Sequence, residues 1–348
     1  MTENNKRAEL CRFSFLVNVK VETVGKHMKP LRFNRLALLG IIAASACAGQ
    51  VQSSEKHIHV FGEWMQDGHE HCRVCTSPNC TPRAVERGVH VGYPCEICGY
   101  AFKAVAFYTG INDDAHVSFC HEAIDFFSKQ AKDLNFYFEA ANDWSKMNDE
   151  FLEDVDLLLF LDTRPEKQSE REAFQRFMEN GGSWLGFHFS AFAMDGSAYD
   201  NNWQWYHDEF LGSGQYADNT WAPTANMLRV ETHDHFATEN LPGTFLSAPN
   251  EWYSWEHDLR KNPDIDILVT IDQEKGFPVG NNPGEIWYEG FYPVVWSNKN
   301  YNMVYFNMGH NQVNYNTKET LSWTFGVEEQ VTMVMDSIKG MMDLYIYA

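Results

Sequence analysis

Leu157-Leu158-Leu159-Phe160-Leu161 is an unbroken apolar run, with no polar residue at either parity. A strand with one wet face would alternate apolar and polar residues; a strand covered on both faces does not, and such strands belong to parallel sheets with helices on either side. The flanking text agrees. Ser169 to Asn180 reads as an amphipathic helix stopped by Gly181-Gly182, and Ser183-Trp184-Leu185-Gly186-Phe187-His188 as the next strand. Upstream, Lys103 to Tyr108 reads as a strand ending in Thr109-Gly110. Val117 to Leu134 follows as a helix with Phe119, Ala123, Phe126, Phe127 and Ala131 at helical spacing, and then a second strand at Phe136-Tyr137-Phe138. Downstream, Ile265 to Ile271, Val294-Val295-Trp296 and Asn302 to Met308 extend the strand series, and a helix from Glu328 to Leu344 closes it.

This alternation predicts a three-layer α/β/α domain over residues 102–348, built on an open, mostly parallel sheet. In such sheets ligands gather where loops meet at the carboxyl ends of the strands.

Ahead of this domain, residues 49–101 are rich in cysteine. Cys72-x2-Cys75 and Cys95-x2-Cys98 are separated by 19 residues, the spacing of a four-thiolate zinc ribbon. Gly99 supplies the small residue a knuckle turn needs, and His69, His71 and Cys80 are spare donors. Disulfides are the competing reading in an oxidising compartment. Either way the segment reads as a stapled appendage.

Residues 1–27 show no helical or strand period and read as a disordered or non-native extension. Residues 28–48 read as an export signal, with Met28 as its start. Three positive charges between Lys29 and Arg35 precede an apolar run from Leu36 to Ala46 and a small-residue stretch ending at Gly49. The run is shorter than the roughly 20 residues a spanning helix needs. Ala44-Ser45-Ala46-Cys47 also has the form of a lipobox, which makes Cys47 a candidate lipid anchor. Simple cleavage into the periplasm and attachment as an outer-membrane lipoprotein both stay open.

Charge narrows the partners. Lys and Arg number 27 against 48 Asp and Glu, a net charge of −21 with no basic stripe, which argues against nucleic acid. Aromatic residues make up 15%, which fits either core packing or the stacking faces of a small-molecule sugar site.

Gly181 to His188 resembles the trehalose-utilisation (ThuA-like) family, which has the class I glutamine-amidotransferase-like, flavodoxin-like fold. The likeness continues through Trp203-Gln204-Trp205-Tyr206, Phe210-Leu211-Gly212, Val230 to Thr238, Leu241-Pro242, Asn250-Glu251-Trp252-Tyr253, Pro293 to Trp296 and Val304 to His310. His116 falls where the family often places a His. The resemblance implies carbohydrate catabolism acting on trehalose, another disaccharide or a keto-sugar derivative. One departure bears on chemistry. Amidotransferases of this fold carry a nucleophilic Cys at a sharp strand-to-helix turn, and the corresponding residue here is His188, which cannot form a thioester. The His-Pro pair that the family often has near Tyr216-Ala217-Asp218 is also missing.

His116, His188, His235 and His310 are therefore the candidate ligands of a divalent metal, zinc first, with Glu251 as the carboxylate. His188, His310 and Glu251 are the candidate catalytic groups, as acids, bases or ligands. Trp205, Tyr206, Tyr253 and Asp234 are the candidate sugar contacts. His121, His207 and His233 have no motif support and are expected at the surface. These residues point to a sugar-directed hydrolase or isomerase without glutaminase activity. A non-catalytic envelope module, binding sugar or acting as a scaffold, is the alternative.

Overall fold

The computed structural model describes residues 58–67, 70–91, 94–195, 202–220, 223–272 and 291–347. The expected extension, the export signal with Cys47 and the spare donor His69 lie outside them. Among the described residues no helix is long and apolar enough to cross a membrane. The chain forms two compact units, Met1–Gly88 and Val89–Ala348.

In the first unit, β1 (Met65–Asp67), β2 (Glu70–Val74) and β3 (Val85–Val89, whose last residue opens the second unit) form a small sheet. The four-thiolate arrangement is not what the cysteines make. Cys72 is disulfide-bonded, so its sulfur has no thiolate to offer a metal. Cys75 instead groups with His59 and Cys80, and in the second unit Cys95 and Cys98 group with His90. Residues 89–101 belong to the large unit, where Cys95 and Tyr100 pack with Phe102 in its core.

The large unit begins with β4 (Lys103–Tyr108), helix α1 (Asp114–Leu134) and β5 (Tyr137–Ala141). Then come the one-turn α2 (Asp149–Leu152), β6 (Leu157–Leu161), α3 (Gln168–Glu179) and β7 (Ser183–Phe187). A short π-helical turn, Trp205–Phe210, precedes β8 (Tyr216–Asn219), β9 (Met227–Val230), β10 (Thr244–Leu246), β11 (Tyr253–Trp255) and β12 (Ile265–Ile271). The chain ends with β13 (Pro293–Asn298), β14 (Asn302–Phe306), the hairpin β15 (Gln312–Asn314) and β16 (Glu319–Ser322), and α4 (Glu328–Tyr347).

Nine of these strands form one sheet in the order β10-β9-β12-β13-β14-β7-β6-β4-β5. It is a mixed sheet. From β5 to β14 every pairing is parallel, and from β14 to β10 every pairing is antiparallel.

The apolar runs of the central strands follow from having two cores. Ala104, Ala106, Leu157, Leu159, Leu161, Leu185, Phe187, Val304 and Phe306 face α1 and α4, whose Phe119, Ala123, Phe127, Met333 and Ile338 complete that layer. The other parity, Val105, Phe107, Leu158, Phe160, Trp184, Met303 and Tyr305, faces α3 and the π-helical turn through Phe174, Phe177, Tyr206 and Phe210. Both parities must be apolar because both faces are dry.

The parallel half has a reversal. β4 lies between β5 and β6, so the chain leaves β4 to one side and β6 continues on the other. Crevices outside the carboxyl ends of the strands form at such switch points.

Candidate functional site

Four parallel strands deliver polar residues to one buried cluster at their carboxyl ends. After β4, Asp113 caps α1, its side chain accepting from the Ala115 N–H at 3.0 Å, and this puts His116 in the first helical turn. Asp162, with φ at 50°, directly follows β6, and His188, with φ at 43°, directly follows β7. After β14 come Asn307, Gly309 and His310, while Asn250 and Glu251 arrive from the loop before β11. Positive φ is costly for a residue with a Cβ, so two such residues at neighbouring strand ends mark a place held by its surroundings. Gly309, with φ at 142°, is part of that hold: a Cβ there would lie 2.9 Å from the His188 Cβ and 3.0 Å from Asp162 Oδ1.

His188 Nδ1 lies 2.9 Å from the Asn307 carbonyl oxygen. A carbonyl only accepts, so Nδ1 carries the proton and Nε2 presents a bare lone pair. That Nε2 is buried, makes no hydrogen bond and sits 3.6 Å from Glu251 Oε2. The Tyr305 hydroxyl fixes the same residue from behind by donating to the His188 carbonyl at 2.9 Å. His116 Nδ1 meets Asp162 Oδ2 at 2.8 Å. Donor atoms of His116, His188 and Glu251 all lie within 4.8 Å of one another. His310 stands beside them, its ring 4.8 Å from that of His116 and 5.4 Å from that of His188.

Burial sets the protonation states. It drives His188 well below the ordinary imidazole range, with the His116 charge adding to the effect. It lowers His310 to about 3, again with help from the neighbouring imidazoles. Burial also pushes the Asp162 carboxyl up to about 6 against the opposing pull of His116. At His116 burial opposes the charged ring, but the Asp162 hydrogen bond and charge outweigh it and raise the pKa. Glu251 is raised by burial. The cluster thus offers two neutral imidazoles and a carboxylate beside an Asp–His pair that holds its proton to higher pH. A histidine whose second nitrogen is tied to a carboxylate or a carbonyl is the usual form of a metal-binding imidazole. His116 on Asp162 and His188 on Asn307 both have that form.

A model of the ThuA family, described as trehalose utilisation, matches residues 104–326. The chain belongs to the ThuA family. Among solved structures it resembles a thua-like protein from Bacteroides uniformis ATCC 8492, at 33% identity over 72% of this chain and 95% of that one, with a TM-score of 0.61. A thua-like protein from Parabacteroides merdae ATCC 43184 is 16% identical over 70% of this chain and 91% of that one, with a TM-score of 0.46. A glutamine amidotransferase from Thermotoga maritima is 9% identical over 71% of this chain and 99% of that one, with a TM-score of 0.38. No curated protein matches the chain.

In this ThuA-family chain the sharp turn after β7 carries an imidazole. The buried thiol of Cys120, on α1, points its Sγ at the Leu161 carbonyl at 3.3 Å, and burial pushes its pKa well above the ordinary thiol value. It is not an activated nucleophile.

The other expected site residues divide. Tyr253 lies against the cluster, its ring 4.0 Å from that of His188, though its side chain is buried too. Trp205 and Tyr206 do not. The Tyr206 side chain is fully buried and its hydroxyl donates to the Ser190 carbonyl at 2.8 Å, while Trp205 packs on Phe174, Phe210 and Tyr301. Both belong to the core beneath α3.

Asp234 and His235 are at the opposite end of the sheet. β9 runs antiparallel to β12 and so heads toward the amino end of β14. Its last residue, Val230, is level with Phe306 through Val269 and Val295, and the chain beyond it continues in that direction. His235 there accepts the Ala237 N–H at 3.1 Å and contacts Phe236. His207, expected at the surface, is buried against Asp208 at 2.7 Å, because the π-helical turn faces inward. Asp162 escaped the sequence reading, and Asn250 and Asn307 entered it only inside family-like motifs, with no role assigned to them. Asp162 had a local signal of its own, as the first polar residue after a doubly buried strand.

Proposed function

We propose that the crevice is the active site of a metal-dependent, sugar-directed enzyme of carbohydrate catabolism, a hydrolase or an isomerase without glutaminase chemistry. The observation that carries this reading is the His188 Nε2 lone pair, buried, unpartnered and directed at a cluster of donors. His116, His188 and Glu251 would hold the ion. Two imidazoles and one carboxylate are a zinc-type set. Bound there, a divalent ion would polarise a sugar carbonyl or hydroxyl, or lower the pKa of a water.

The chain's own residues supply the rest. Asp162 orients His116 and Asn307 orients His188. His310, neutral at physiological pH, takes a proton from a substrate hydroxyl or from the carbon next to a carbonyl. Tyr253, buried between Tyr216 and His188, backs the site and holds the His188 ring in place for the sugar. The family's link to trehalose use supports the substrate class. Residues 28–48 give export to the periplasm, or anchoring at the outer membrane through Cys47.

The test is turnover of trehalose, related disaccharides and their keto derivatives by wild type, by chelator-treated wild type and by His188→Ala. Turnover lost on chelation and in the variant supports the reading. Turnover indifferent to both overturns it, and saturable sugar binding without turnover replaces it with the binding-module alternative.

A further inference from the structure

We infer that His90, Cys95 and Cys98 form a second metal site, a structural zinc knuckle in the large unit, separate from the crevice. Their donor atoms all lie within 4.8 Å of one another. Zinc bonds of about 2.0–2.3 Å bring tetrahedral donors to about 3–4 Å of each other, so small side-chain movements suffice. Cys98 Sγ is already 3.5 Å from His90 Nδ1.

The backbone has the form a knuckle needs. Gly99, at φ 77°, turns the chain back, its N–H donating to the Cys95 carbonyl at 2.8 Å. The Cys95 N–H in turn donates to the Tyr100 carbonyl at 2.5 Å. The Val91 N–H points at Cys95 Sγ at 3.4 Å, a donor placed to favour the thiolate over the thiol. His90 is 1% and Cys95 2% exposed, and the His90 ring is stacked on Tyr100 at 4.3 Å, which fixes its direction. Neither cysteine is in a disulfide.

Nitrogen and thiolate sulfur together select zinc over magnesium or calcium. Binding would release one proton from each thiol. Within this unit the three residues supply three of the four donors of a tetrahedral site. The ion would pin the segment that leads into β4, since Cys95 and Tyr100 share a core with Phe102.

The test is the zinc content of the full chain, purified without reductant, as wild type, Cys98→Ser, Cys120→Ser and His188→Ala. One equivalent fewer in Cys98→Ser than in wild type and Cys120→Ser is the expected result, with His188→Ala keeping that ion. Wild-type zinc in Cys98→Ser overturns the knuckle, whatever happens at His188, and so does recovery of a Cys95–Cys98 disulfide by mass mapping. Should Cys98→Ser not fold, alkylation of wild type by iodoacetamide decides. Cys98 labelling at least about tenfold faster after chelation supports the site, and an unchanged rate sinks it.

Discussion

His188 donates its Nδ1 proton to the Asn307 carbonyl over 2.9 Å, and the same ring turns Nε2 toward Glu251 Oε2 at 3.6 Å. One hydrogen bond thereby sets the tautomer, the ring plane and the direction of the remaining lone pair. Asp162 does the same for His116 from the neighbouring strand end. The second bond is the easier to alter, because it uses a side chain. Asp162→Asn keeps an acceptor for the His116 N–H and removes its charge, and metal affinity should fall about 10–100-fold. Competition with a chromophoric chelator measures it. Wild-type affinity in the variant would remove Asp162 from the support of the metal.

Gly309 is the backbone counterpart of that support. Gly309→Ala drives a Cβ against His188 and Asp162, at a φ of 142° that a residue with a side chain rarely adopts. A loss of about 1–3 kcal/mol in urea unfolding is expected, together with weaker metal binding. Gly243→Ala is the control, since nothing lies within 4 Å of its added methyl and its φ is not positive. Equal stability of the two variants would show that the close approach at Gly309 is not what holds the site.

The parallel half of the sheet was legible because its signal is collective. Runs such as Leu157 to Leu161 fix burial on both faces, and the helices between them leave few topologies. His116, His188 and His310 were legible at strand ends for the same reason. His235 was not, because the motif around it gives no strand direction, and the antiparallel turn of β9 carries it to the far end of the sheet. Asn307 and Asn250 act through a main-chain carbonyl and a side-chain amide whose geometry exists only after folding. Trp205 and Tyr206 show the same limit from the other side. Aromatic richness cannot separate a sugar platform from a core, and the packing of α3 decides it.

That packing makes its own prediction. Tyr206→Phe loses the bond to the Ser190 carbonyl and should cost about 1 kcal/mol. Trp205→Ala, partly exposed against Phe174 and Phe210, should cost about 3 kcal/mol. Neither should change the affinity for a sugar by more than about twofold, whereas Tyr253→Ala should abolish measurable binding. Calorimetric titration and denaturant unfolding on the same samples separate these effects. Sugar affinity lost in Trp205→Ala with unfolding unchanged would return that residue to the binding site.

Asp156 provides a pH test away from the histidine cluster, at the amino end of β6. Its carboxylate accepts the Lys103 N–H at 2.7 Å, and burial raises its pKa from 3.8 to about 6. The folded state therefore holds this proton more tightly than the unfolded chain does. Its contribution to stability is fully present below pH 3.8 and is lost as pH rises through about 6. At neutral pH the cost of burying the charge reaches at most about 3 kcal/mol. Asp156→Asn keeps the acceptor for Lys103 and carries no charge. Its stability should match wild type near pH 4 and exceed it by up to about 3 kcal/mol at pH 7. Urea unfolding at both pH values reads the difference directly. A gap that stays constant across the range would mean that Asp156 titrates at its ordinary value, and that its hydrogen bonds from Tyr100 and the Lys103 N–H, not burial, govern the carboxylate.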